Sequence, residues 1–198
     1  MTIPTPVAGA DEMRSARERI LDAAIGTFYA NGIHATSADR IIEQAGITKV
    51  TFYRHFRSKV DLIVAYLELQ VAAERAMYEQ ARSQGNGLGA LSFIAAAIGE
   101  GSCQPGFRGC PFINAAAEFP DGGHRVREVV DAHRRWTHDM FAGIAAEADV
   151  RDVEVVAGQL MMLRDGALVG GYLGAADSIA RALDTAFIAV ITAGRSLT

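Results

Sequence analysis

Apolar residues recur along this chain at spacings of three and four, and the pattern predicts helices almost from end to end. Leu21, Ala24, Ile25 and Phe28 fall at i, i+3, i+4 and i+7, one face of an amphipathic helix that Gly32 is placed to end. In "ATSADRIIEQAG", Thr36 with Asp39 matches a capping box, Ile41, Ile42 and Ala45 supply a buried face, and Gly46 stands at the stop. A tight turn separates this element from a third short helix capped by Thr48. Ser58 with Asp61 then caps a fourth helix that carries Leu62, Ile63, Tyr66, Leu67 and Leu69 and runs to about Ser83.

The later pattern is also helical. "SQGNGLG" reads as a turn, "LSFIAAAIGEG" as a helix, and "CQPGFRGCPF" as a loop rich in Gly and Pro. Pro111 suits the first turn of a short helix, "PFINAAAEF", with Cys110 near its N-cap. A helix over residues 124–148 carries Val126, Val130, His133, Trp136, Met140, Phe141 and Ile144. Two more helices, over about 152–173 and 177–195, are joined by "LGAAD" with Asp177 as the expected cap. Neither strand alternation nor an internal repeat interrupts the series, so the expected fold is all-α.

Composition narrows the class. With 198 residues, half of them hydrophobic, the chain can bury one or two substantial cores. The start, "MTIPTPVAGADE", has neither a basic region nor a continuous apolar stretch, so residues 1–12 are expected to form a disordered tail rather than a secretory leader. The uncharged run at residues 166–176 is too short and Gly-rich for a membrane span, and no membrane partner is expected. Two cysteines are too few for a disulfide scaffold and suit a reducing cytoplasm.

The net charge of −4 hides an asymmetry. Residues 14–59 hold eight Lys+Arg against four Asp+Glu, whereas the rest of the chain holds 11 against 19. A basic head on an acidic body suggests a polyanion for the head and a different partner for the body. The basic excess is concentrated in "GITKVTFYRHFRSKVDL", interleaved with aromatic rings and hydroxyls.

Two short helices joined by a Gly turn and backed by a preceding helix form a helix-turn-helix, whose second helix enters the DNA major groove. The groups at the start of that helix are Thr48, Lys49, Val50 and Thr51. Lys49 suits guanine, Thr51 suits several bases, and the Val50 or Thr methyls suit a thymine methyl. Tyr53, His55 and Lys59 lie further on, where donors meet phosphates, and Thr36 or Ser37 offers a hydroxyl on the other side. Phe52 and Phe56, four apart, are assigned to the small core. The same pattern also suits a three-helix module that docks on another protein.

The stretch "TSADRIIEQAGITKVTFYRHFRSKVDLIVAYLE" resembles the DNA-binding domain of the tetracycline-repressor-like (TetR) regulators over about residues 14–67. It shares the Thr-initiated helix, Ala-Gly at the turn, the Tyr-x-His-Phe run and the Ser-Lys start of the fourth helix. Val50 departs from the pattern, standing where many members have Gly. The resemblance implies a helix-turn-helix domain at 13–59 and a ligand-binding and dimerisation domain at 60–198. It further implies a homodimer on a palindromic double-stranded operator, released by a small-molecule effector held in a cavity of each body.

The residues of the body point the same way. The helix over 152–173 is apolar on several faces, with Gly166, Gly170 and Gly174 at four-residue spacing, so several faces must be covered. Pairing with the last helix across a two-fold axis would do this, with Gly166, Gly170, Leu183, Phe187, Val190 and Ile191 at the interface. The alternative is a monomer that folds the pair onto its own body. Met77, Phe93, Phe107, Phe112, Trp136, Met140 and Met162 are candidates for an apolar pocket wall, and Asn114, Glu118, His133 and Arg164 for its polar anchors. Each of these residues also suits ordinary core or surface.

Catalysis is not expected. The chain has no Gly-x-Ser-x-Gly, phosphate loop or dinucleotide fingerprint, and no spacing of Cys and His that resembles a zinc site, so neither cofactor nor metal is expected. Cys110 with a histidine could in principle form a nucleophile–base pair. A DNA-binding architectural protein without a ligand is a further alternative, and it leaves the acidic body unexplained. Cys110, two residues from Arg108 and seven from Cys103, also admits a thiol-based redox or electrophile switch, as the family resemblance allows.

Overall fold

Ser15 opens the first helix with a complete capping box: its hydroxyl takes the Glu18 N–H, and the Glu18 carboxylate takes the Ser15 N–H at 2.8 Å. The computed structural model describes residues 14–83, 85 and 87–195, so the expected tail at 1–12 lies outside the described residues. Helix α1 (Ala16–Asn31) ends at Gly32, whose φ of 90° lies in the left-handed region. Helix α2 (Ala38–Gln44) turns at Gly46, φ 61°, into α3 (Lys49–His55). Thr48 caps α3 by accepting the Thr51 N–H at 3.1 Å. Ser58 opens α4 (Lys59–Ser83), accepting the Asp61 N–H at 3.1 Å and donating to its carboxylate at 2.9 Å.

One cap is shifted from its expected residue. Ser37, not Thr36, is the N-cap of α2, and it accepts the Arg40 N–H at 3.2 Å. Thr36 is fully buried and its hydroxyl donates to the Gly32 carbonyl at 2.8 Å. The hydroxyl thereby serves the end of α1, and the side chain fills the core beneath the turn.

The chain continues through α5 (Gly87–Ser102), α6 (Pro111–Glu118), α7 (Arg125–Glu147), α8 (Val153–Gly170) and α9 (Ala176–Gly194). Among the described residues these nine helices are joined by no β-strand, only an isolated bridge between Val150 and Arg195. The fold is all-α. Asp177 does not cap α9: it sits in the first turn, and the cap position is Ala175 without a side-chain bond. A π-type turn over Gly171–Ala175 makes this connection instead, with Gly174 at φ 105°, a conformation glycine adopts without strain.

Two compact units result. The first holds residues 14–70 together with Pro111–Val130, and the second holds Val71–Cys110 with residues 131–195. The structural division therefore lies at 70/71 rather than at the expected 59/60, and α6 belongs with the N-terminal helices. In the first unit Ile20, Leu21, Phe28, Ile41, Phe52, Phe56, Leu62 and Ile63 form the buried interior, with Phe28 edge-on to Tyr66 at 5.6 Å. The expected core role of Phe52 and Phe56 is what the structure shows.

The second unit packs Tyr78, Leu91, Ile94, Phe141, Ile144, Leu160, Leu183, Phe187 and Ile191 into one core. Helices α5 and α9 approach closely at Gly99, where an added Cβ would sit 2.5 Å from the Ala180 Cβ. Leu183, Phe187 and Ile191 are consequently buried inside a single chain, which corrects their expected place on a dimer face. The amphipathic period of α9 correctly grouped them on one side, but α5 and α8 of the same chain cover that side. Val190 is partly buried against the same core. Gly166 is exposed and an added Cβ there would meet nothing within 4 Å, whereas Gly170 is half-buried, with an added Cβ 3.4 Å from Cδ1 of the core residue Ile179.

Candidate nucleic-acid interface

The start of α3 carries three polar groups whose bonds lie within the head. The Thr48 and Thr51 hydroxyls are 2.9 Å apart, and the Lys49 ammonium lies 3.3 Å from Asp39 on α2. The Lys49–Asp39 pair is largely exposed, so it is worth no more than about 1 kcal/mol and yields readily to a stronger anion. Between these groups Val50 projects into solvent at 71% exposure. Tyr53, three residues on, is 45% exposed, and Arg54, His55 and Arg57 are exposed as well. Residues three and four apart share a helix face, so Val50, Tyr53 and Arg54 form one outward strip. Ser37, at the start of α2, is exposed.

Two expected DNA contacts are placed differently. Thr36 is interior, as described above. Lys59 is half-buried and its ammonium donates to the Ile33 carbonyl at 2.6 Å. Burial pushes the Lys59 pKa down, and the nearby Glu118 carboxylate opposes that. Lys59 therefore braces the α1–α2 corner rather than standing free for a phosphate.

Glu118 belongs to the same corner. Its carboxylate accepts the backbone N–H of Ile33 at 2.8 Å and of His34 at 2.5 Å. The His34 ring lies 2.8 Å from the Glu118 carbonyl through Nε2 and stacks on Phe119, which stacks in turn on His124. A carboxylate with two amide donors and a lysine beside it is already occupied, so the structure removes Glu118 from the expected pocket anchors. Sequence offered no signal for this, because the partners lie 84 and 85 residues away.

The other body candidates divide between the units: Phe112 and Asn114 lie in the first, the rest in the second. Phe112 and Cys110 are buried, and Asn114 and Phe107 are half-buried. Met77, Phe93, Trp136 and Met140 pack on the second core, whereas Met162 is 68% exposed and cannot line an interior wall. His133 and Arg164 meet in a buried polar cluster. Arg164 donates to the Tyr78 hydroxyl at 2.9 Å, to Asp165 at 2.9 Å and to Glu74, whose other oxygen is 3.2 Å from His133 Nε2. Burial alone would raise the Glu74 pKa, but Arg164 and His133 more than reverse this and hold it at about 2. Burial raises the Tyr78 phenol, and Cys110 lies within electrostatic reach of Arg164. Trp136 flanks the cluster, 5.7 Å from the Tyr78 ring with Arg75 over its face at 4.8 Å.

Residues 20–66, the segment that forms α1 to the start of α4, match the family model described as bacterial regulatory proteins, tetR family. The whole chain is similar to the crystal structure of a TetR-family transcriptional regulator from Streptomyces coelicolor. The two are 38% identical with a TM-score of 0.88, over 91% of this chain and 96% of that one. The chain belongs to the tetR family. A second TetR-type structure, from Streptomyces avermitilis, is 25% identical with a TM-score of 0.78 over 89% of this chain and 98% of that one. Among curated relatives, the HTH-type transcriptional regulator SrpR of Pseudomonas putida is 38% identical over 58 residues. That match covers 29% of this chain and 27% of SrpR. AcrR of Shigella flexneri is 34% identical over 85 residues, 42% of this chain and 40% of that one. The chain thus spans less than half the length of these curated relatives. Each of these TetR-family relatives is a transcriptional regulator, and the enzyme alternative finds no support among them.

Two features of this TetR-family chain escaped the sequence reading. Arg54 lies on the exposed strip with Val50, and its i+4 spacing was a usable signal. Val155, Val169, Tyr172, Leu173 and Ile188 are exposed large hydrophobics on α8, α9 and the turn between them, together with Met162. Periodicity could not find these, because α8 is apolar on more than one face. Among the described residues no group of His, Cys, Asp and Glu is arranged to hold a metal ion, and no helix is long and apolar enough to cross a membrane.

Proposed function

We propose that this protein is a homodimeric repressor that reads a two-fold symmetric operator and is released from it by a small molecule. The observation that carries the reading is α3: capped by Thr48, anchored inward by buried Phe52, and presenting Val50, Tyr53 and Arg54 outward beside Lys49. Base-reading groups come first along the helix and phosphate-binding groups follow, which is the order a recognition helix needs. Ser37 and the Tyr53 hydroxyl supply register contacts to the backbone.

A second copy is the occupant proposed for the apolar strip of Val155, Met162, Val169, Tyr172, Leu173 and Ile188. Met162 and Leu173, at 68% and 75% exposure, give this strip little value in a lone chain. Pairing α8 and α9 across a two-fold axis covers it and gives the assembly two copies of α3, one for each of two half-sites about 34 Å apart. The effector acts by binding the released spacing more tightly than the DNA-bound one, since equal affinity shifts nothing. The test is selection of bound fragments from the organism's own DNA, followed by footprinting and light scattering. A specific footprint protected by a dimer, and lost with a small molecule, is the expected result. Binding without sequence preference rejects the reading.

A further inference from the structure

Val50 is an anomaly on a helix otherwise built for polar contact. A β-branched residue is a modest helix former, and at 71% exposure it gains almost nothing from burial. Its neighbours are satisfied within the protein: Thr48 and Thr51 through each other, and Lys49 through Asp39. Val50 is the large apolar side chain left exposed at the start of the helix. Whatever covers it must also accept Lys49, Tyr53, Arg54, His55 and Arg57 close by, which excludes an apolar protein surface and fits a polyanion. Within the major groove of DNA, the apolar group a base edge presents is the C5 methyl of thymine.

We propose that Val50 is a specificity-determining residue that packs against the 5-methyl group of one thymine in each operator half-site. This rests on the reading of α3 as the helix in the major groove. It goes further by assigning sequence choice at one position to an apolar contact rather than to a hydrogen bond. The geometry suits such a contact, since Val50 stands at the second position of α3, one residue beyond Lys49 and on the face shared with Tyr53 and Arg54.

The experiment uses the full-length protein. Bound sequences are selected from random duplex DNA, and each thymine of the selected half-site is then replaced singly by deoxyuridine, which removes only the methyl group. The wild type should lose about fourfold in affinity per half-site at one thymine, the worth of one buried methyl group. Val50→Ala should bind the thymine and uracil versions of that site equally well, while keeping the circular dichroism and melting temperature of the wild type. If Val50→Ala retains the same preference for thymine over uracil, or if uracil is tolerated at every position, the Val50 assignment is overturned while base reading by α3 stands. If the wild type enriches no sequence at all, base reading by α3 fails, and the Val50 assignment fails with it.

Discussion

The Glu118 carboxylate on α6 accepts the Ile33 N–H at 2.8 Å, closing the corner between α1 and α2 from a point 85 residues further along the chain. The same carboxylate takes the His34 N–H and lies near the Lys59 ammonium, so one side chain organises the entry to the helix-turn-helix. Glu118→Ala leaves two backbone amides without this acceptor, at about 1–3 kcal/mol for each that water cannot reach. Thermal denaturation should show reduced stability, and operator affinity should fall for all sequences alike. Glu118→Gln keeps one acceptor oxygen and should recover part of both. Unchanged melting in Glu118→Ala would show that the corner holds without it.

Tyr53 and Arg54 are expected to contact the DNA backbone, not bases. Tyr53→Phe and Arg54→Ala should weaken binding to every sequence by a similar factor, with Arg54→Ala lowering the salt slope by about one. Lys49→Ala or Thr51→Ala should instead alter base preference, with each lost base contact worth about 1–3 kcal/mol. Lys59→Ala should act chiefly on folding, because its ammonium serves the Ile33 carbonyl. Gel-shift titrations across salt, paired with melting curves, separate the three classes.

Charge placed on α8, α9 or the turn between them should have opposite consequences at exposed and buried positions. Met162→Glu and Leu173→Glu fall on exposed positions, so the chain should fold normally but sediment as a monomer with steeply reduced operator affinity. Phe187→Glu falls at a fully buried position, where an unpaired charge is unsupportable, and should fail to fold. Light scattering with circular dichroism distinguishes these outcomes. A dimeric Leu173→Glu together with a dimeric Met162→Glu would place the interface elsewhere.

Glu74 ties stability to pH. Its folded-state pKa of about 2 lies below the ordinary 4.5, so its contribution is fully present above about pH 4.5 and disappears as pH falls towards 2. Acid titration of folding should therefore show a loss within that window, and Glu74→Gln should remove this part of the dependence. The same substitution removes one of the two carboxylates paired with buried Arg164, a change that costs up to about 3–5 kcal/mol at neutral pH. Chemical denaturation at pH 7 measures this directly, and an unaltered midpoint would mean that Tyr78 and Asp165 suffice for Arg164.

Much of the head was legible because its signals are local. The Ser58–Asp61 cap, the Thr48 cap, the glycine stops at Gly32 and Gly46, and the inward Phe52 and Phe56 all follow from residues within one or two turns. A slip of one residue at Thr36 and Ser37 marks the limit of such reading. Both side chains can cap a helix, and the choice was made by which of them faces the interior, where Thr36 meets the Gly32 carbonyl.

The sequence by itself determined the helical class, the order of the elements and the cap and inward face of α3, because helical periodicity and capping act through hydrogen bonds and side-chain spacings of three or four residues. Tertiary structure alone decided what covers each face. It turned Leu183, Phe187 and Ile191 towards α5 and α8, left Met162 and Leu173 outside, committed Lys59 and Glu118 to the α1–α2 corner, and gathered Glu74, Tyr78, His133 and Arg164 from three helices. An amphipathic pattern states which residues share a side of a helix, whereas the partner of that side is chosen by packing among segments 90 and more residues apart.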